Sequence, residues 1–135
     1  MKKEISMFEQ DYIMHLIAEM VRAFLKLLFN IDMDTKESQI FNETEMAAEY
    51  DELITLVDNG NINEAENKLL GGLNAENIQE FKLALMFYSY LNEKDMDFLA
   101  EHNFSKKEIT DGLKHVSKVY GYESMANAFL SILPD

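Results

Sequence analysis

Three features of the sequence predict an all-α fold. Apolar residues recur at helical spacing in stretch after stretch, and Gly60, Gly71-Gly72 and Gly121 stand where helices stop. Nowhere does period-2 alternation of β-branched residues last for a strand's length. One proline and five glycines among 135 residues leave little room for long irregular loops. The expectation is one domain of six to seven helices stacked as antiparallel hairpins, in a repeat-like superhelix or an irregular bundle. It divides into an amphipathic N-terminal helix over 1–30, a connection over 31–42 and helical hairpins over 43–135.

Ser6 and Glu9 have capping-box spacing, so the first helix starts near Met7. Its stripe reads Phe8, Tyr12, Ile13, Leu16, Met20, Phe24 and Leu27, and its last turns, Ala23 to Phe29, are apolar nearly all round. That end is expected to be buried, in this domain or against a second copy. Asn30 to Asn42 is polar and reads as a connection with a short turn of helix at Lys36 to Gln39. Asn42 then caps a second helix, with Glu45 at its third position and Met46, Ala47, Tyr50, Leu53, Ile54 and Val57 facing inward.

Gly60 supplies the left-handed residue at that helix's end, and Asn61 caps the next helix, Ile62 to about Leu70. The short turn forces the two helices antiparallel, and Ala65 lies where they cross. Asn74 is the expected cap of a fourth helix, Ala75 to Leu91. Its centre FKLALMFYSYL is apolar on nearly every face except at Lys82 and Ser89, as befits a helix surrounded by others. Asp95 caps a short helix to Glu101, Ser105 and Glu108 form a capping box for Lys106 to Val119, and Gly121 ends that helix. A last helix, Ser124 to Leu133, buries Met125, Ala128, Phe129 and Ile132 before Pro134.

The hairpin Tyr50 to Leu73 resembles a tetratricopeptide repeat in G-N-I-N-E-A, where Gly60 precedes Ala65 by five residues, although the tryptophan, the Leu-Gly pair and the closing proline are missing. A shift of 34 residues sets Ile54 on Tyr88, Val57 on Leu91, Asn61 on Asp95 and Ile62 on Met96. A second resemblance covers most of the chain. DYIMHLIAEMVRAFLKLLF at Asp11 to Phe29, the hairpin, and FYSYLNEKDMDFLAEHNFSKKEITDGL at Phe87 to Leu113 together resemble a family of small bacterial helical proteins with no assigned function. The resemblance implies a bacterial, cytosolic, helical protein. That family more often has arginine where this chain has His15, so it transfers no role to the histidine.

Composition bounds the function. With 25 acidic against 12 basic residues the net charge is −13, which repels phosphate backbones and anionic headgroups and argues against nucleic-acid and membrane partners. The absence of cysteine removes disulfides, thiolate nucleophiles and cysteine metal sites, and a cytoplasmic location is the expectation. Lys2 and Lys3 are followed too soon by Glu4, Glu9 and Asp11 to make a signal peptide. The apolar run Met20 to Ile31, broken by Arg22 and Lys26, is too short to span a bilayer.

Candidate chemistry is thin. Asp11, His15 and Glu19 at i, i+4, i+8 share a helix face and offer a metal one imidazole and two carboxylates, but a solvated stripe in which His15 pairs with acids one turn away is the better account. Asp32, Asp34 and Glu43 occupy positions 1, 3 and 12 of a calcium loop whose fifth and sixth positions, Lys36 and Glu37, break it. His102 sits at a helix end and His115 one turn from Asp111, both as expected surface residues. Lys106, Lys107, Lys114 and Lys118 give one helix a basic side interleaved with Glu108 and Asp111. Tyr88, Tyr90, Tyr120, Tyr122 and Phe87 could line a groove, with core packing the default.

The reading is a non-enzymatic helical module that binds a protein or peptide, with no catalytic, cofactor or metal residues and Phe24, Leu25, Leu28, Phe29, Tyr88 and Tyr90 as a candidate interaction surface. The alternatives are a homodimer or larger structural oligomer built on the first helix and, behind it, a metal-dependent enzyme using His15.

Overall fold

The computed structural model describes residues 7–32 and 34–131, and their side chains except those of 7–10, 37 and 38. Eight helices and no strand are present among the described residues: α1 (Met7–Phe29), α2 (Glu37–Ile40), α3 (Thr44–Asp58), α4 (Ile62–Gly71), α5 (Ile78–Asn92), α6 (Met96–Glu101), α7 (Lys106–Val119) and α8 (Glu123–Leu130). The fold class is all-α. The expected cap at Ser6, and Ile132 to Pro134, lie outside the described residues.

Four helices end the same way. A left-handed residue, Asn30 at φ 56°, Gly60 at 89°, Asn103 at 60° or Gly121 at 85°, follows α1, α3, α6 and α7. The amide of the next residue then reaches back to the last turn: Ile31 N–H donates to the Leu25 carbonyl at 3.1 Å, Asn61 to Leu56 at 2.8 Å, Phe104 to Leu99 at 2.9 Å and Tyr122 to Ser117 at 2.7 Å. These bonds satisfy carbonyls that a helix end leaves without partners. The glycines mark two of these stops in the sequence. The two asparagines serve the others because a short polar side chain tolerates the left-handed region.

Starts follow the predicted caps in part. Asp95 accepts from the Phe98 amide at 2.8 Å and Ser105 from the Glu108 amide at 3.3 Å, as their spacing implies. Asn42 is not a cap: α3 begins one residue later than expected, behind Glu43, whose side chain makes no capping bond. Asn61 holds the cap position of α4 without a side-chain bond. The helix expected from Ala75 starts at Ile78, because Asn74 closes a turn of its own by accepting from the Glu76 amide at 2.9 Å while Asn77 caps α5.

The central element is α5. It packs against α1, α3 and α7, α3 pairs with α4 across the Gly60 turn, and α8 returns against α7 and α1. A solenoid repeat touches only its neighbours in the stack. Here one helix meets three partners, two of them distant in sequence, and the would-be second arm of the echo, α6, is six residues long. The arrangement is an irregular bundle around α5. Phe81, Leu83, Ala84, Leu85, Phe87 and Tyr88 on successive faces are all buried, as is Ala65 at the α3–α4 crossing.

The stripe of α1 is rotated from the expected one. Ile17, Met20, Val21, Phe24 and Leu25 are buried, whereas Tyr12 is 49% and Leu27 70% exposed. The last turns are therefore not buried all round. On α8 the inner residues are Ala126 and Leu130, with Met125 and Phe129 half-buried, and Ala128 faces solvent.

Two lysines are interior, one of them, Lys106, expected on a solvated face. Lys82 on α5 is 3% exposed and Lys106 on α7 is 6% exposed. Lys106 Nζ donates to the Asn92 carbonyl and, at 3.2 Å, to Asn92 Oδ1, while Asn92 Nδ2 donates to the Met14 carbonyl at 3.0 Å. One polar chain thus ties α7, α5 and α1 together. The basic side expected on α7 loses its first member to this interior bond.

Candidate functional site

The chain leaves α1 through the left-handed Asn30 and doubles back, so the connection lies across α5 instead of projecting from it. What holds it there is Lys82, whose Nζ donates to the Ile40 carbonyl at 2.7 Å and sits 5.7 Å from the centre of the Phe29 ring and 5.6 Å from that of Phe41. Burial lowers the Lys82 pKa, with Glu43 acting against it. The desolvated ammonium is partly compensated by two aromatic faces and a carbonyl, and among the described residues it makes no ion pair. Ile40 and Phe41 turn inward beside it, and the Phe41 ring lies 5.1 Å from that of Tyr50 on α3.

Between this connection and the bundle is a cleft of about 230 Å³. Leu25 of α1, Ile31, Ile40 of α2 and Met86 of α5 provide its apolar part. Asp32, Thr35, Tyr50 of α3, Ser89 and Tyr90 of α5, and Glu93 just beyond provide its polar part.

Two walls are braced from behind. Lys26 Nζ lies 3.1 Å from Asp32 Oδ1, steadying the connection against α1. The Tyr90 hydroxyl donates to Asp58 Oδ1 at 2.7 Å, and Lys94, whose Nζ is 2.8 Å from the same oxygen, lies 4.8 Å from the centre of the Tyr90 ring. The hydrogen bonds from Lys94 and Tyr90 lower the Asp58 pKa, while burial and the bond to Asp58 raise that of Tyr90. Tyr90 is therefore a fixed neutral wall whose hydroxyl is already committed.

The predicted site residues separate. Leu25 and Tyr90 meet in the cleft. Phe24, Leu25 and Tyr88 are all fully buried, so these three form no outer surface, because helix crossings on α5 claim the faces they occupy. Leu28 and Phe29 are half-buried. Tyr88 donates to Glu66 Oε2 at 2.7 Å inside the bundle. Phe87 packs on Tyr88, and the Phe81 ring stacks on Tyr120 at 4.9 Å and on Tyr122 at 5.8 Å, so these aromatics belong to the core.

Asp11, His15 and Glu19 stay exposed, Glu19 lies 3.4 Å from Arg22, and among the described residues no group of three or more His, Asp or Glu is arranged to hold a metal ion. His115 is exposed. His102 is not a plain surface residue: Nδ1 donates to the Phe98 carbonyl at 2.7 Å, and its ring covers Gly60 so closely that a Cβ there would collide with it.

Sequence reasoning passed over Ile40, Thr35, Ser89 and Glu93. A signal was present in Ile40-Phe41, two large apolar residues in a stretch otherwise read as polar connection. For Ser89 and Glu93 there was none, since each gains its place only from the connection lying opposite.

Among the described residues no helix is long and apolar enough to cross a membrane. A family model matches residues 7–121, and its description is a family of unknown function (DUF6483). Comparison with curated proteins and with solved structures gives no match.

Proposed function

The chain belongs to the family of unknown function DUF6483, and we propose that it is a non-enzymatic, cytoplasmic binding module that receives a short segment of a partner protein in the cleft between α1, α3, α5 and the 30–41 connection. The observation that carries this reading is the cleft itself, lined by both apolar and polar side chains, with two braced walls. Its size supports a side chain in preference to a whole metabolite: pockets that enclose small molecules hold roughly 300–1,000 Å³, and this one holds about 230 Å³. The net charge of −13 disfavours nucleic acid as the occupant.

Selection of displayed random peptides on the immobilised protein tests the reading. Enriched peptides should lose binding to Ser89→Arg, which fills the cleft from α5 at a half-buried position and leaves the core untouched. Peptides that bind the variant equally well would place the binding surface elsewhere and defeat the proposal.

Self-association through the first helix has one observation in its favour, Leu27, 70% exposed beside the half-buried Leu28 and Phe29. Sedimentation of the wild-type chain and of Leu27→Glu separates the readings. A monomer in both cases removes the oligomer.

A further inference from the structure

We infer that the segment received by the cleft anchors itself with a basic side chain, a lysine or an arginine, a refinement that rests on the binding reading above. Ten residues line the cleft; two of them, Asp32 and Glu93, are carboxylates and none is basic. A phosphate or carboxylate entering here would meet like charge on a protein that is already strongly acidic. A purely apolar side chain would fit the Leu25, Ile31, Ile40 and Met86 side but would strip water from Thr35, Ser89 and the two carboxylates with nothing in return. A lysine or arginine satisfies both halves, since its methylene stem lies along apolar surface while its head reaches polar groups.

The existing charges leave room for such a head. Lys26 approaches Asp32 through Oδ1 at 3.1 Å, both side chains being largely exposed, so the second oxygen of that carboxylate is available for sharing. Glu93 makes no ion pair among the described residues. Lys82, the other cation nearby, is turned to the Ile40 carbonyl and is not part of the lining. The Tyr90 ring adds an aromatic face, held in place by Asp58 and already met by Lys94.

The test is an NMR titration of the full chain with two capped alanine-rich peptides that differ only at the central residue, lysine in one and norleucine in the other. Norleucine keeps the stem and removes the charge. The lysine peptide should shift the amides of Ser89, Tyr90 and Glu93 and bind roughly three- to fivefold more tightly at low salt, the range expected of a partly exposed ion pair. High salt, and the double variant Asp32→Asn, Glu93→Gln, should bring the two peptides together. Equal binding by the wild-type chain would overturn the basic anchor and leave the cleft as a peptide site. Failure of both peptides to move these amides would overturn both readings.

Discussion

Gly112 lies on the face of α7 that meets α5, where a Cβ would collide with the hydroxyl and ring of Tyr88. That ring has no room to retreat: it is fully buried and its hydroxyl is bonded to Glu66. Gly112→Ala is therefore expected to destabilise the fold by about 1–3 kcal/mol, despite the helix propensity that alanine adds, measured by chemical denaturation. An unchanged midpoint would show that α7 can shift. Glu66 itself carries a pKa raised first by burial and then by Glu108 and Asp111, against the Tyr88 bond and His115, which lower it. A carboxyl whose folded pKa lies above its unfolded value favours folding when protonated, so its contribution is full below the unfolded pKa and is lost as pH rises through the folded one. Glu66→Gln keeps an acceptor for Tyr88 and removes the charge. It should raise stability at neutral pH, and the gain should shrink as pH falls toward the ordinary glutamate value of 4.5. A gain independent of pH would rule out this account.

At the scale of elements the connection 30–41 is the instructive one. Its composition reads as a polar linker, and yet it is a wall of the cleft, because Lys82 on another helix reaches its backbone and Ile40 and Phe41 turn inward. Exchanging a buried, imperfectly compensated charge for an apolar side chain of similar length often costs little overall. Lys82→Met should therefore change global stability by less than ~2 kcal/mol while amide hydrogen exchange rises in residues 30–43 and stays as it was in α4 and α7. Protection retained in that segment would mean that Phe41 and Ile40 hold it without the lysine. The helix caps make a different case. Ser105 and Asp95 were legible because a cap needs only partners three residues away, and Ser105→Ala should cost about 1 kcal/mol in thermal unfolding. Asn42 shows the limit of that logic, since a good capping residue stands one position ahead of the cap, which Glu43 holds without a capping bond.

At the scale of the whole molecule a net charge of −13 on 135 residues makes self-repulsion a standing cost of the folded state. Adding salt to physiological strength should raise the melting temperature, because screening acts within about 8–10 Å, and a melting temperature that falls with salt would show that ion pairs such as Lys68–Glu52 and Lys94–Asp58 outweigh the excess of acid. The sequence by itself determined the helical class, the α3–α4 hairpin with Ala65 at its crossing, the central place of α5 and most helix ends. Each of these depends on residues within a turn or two of one another, or on a helix being apolar all round. Only the tertiary structure decided the rotation of α1, the burial of Lys82 and Lys106, the bundle in place of a stacked superhelix, and the cleft. A charged side chain can be interior when a distant carbonyl is brought to it, and a concavity exists only where segments far apart in the chain meet; neither condition is written in local spacing.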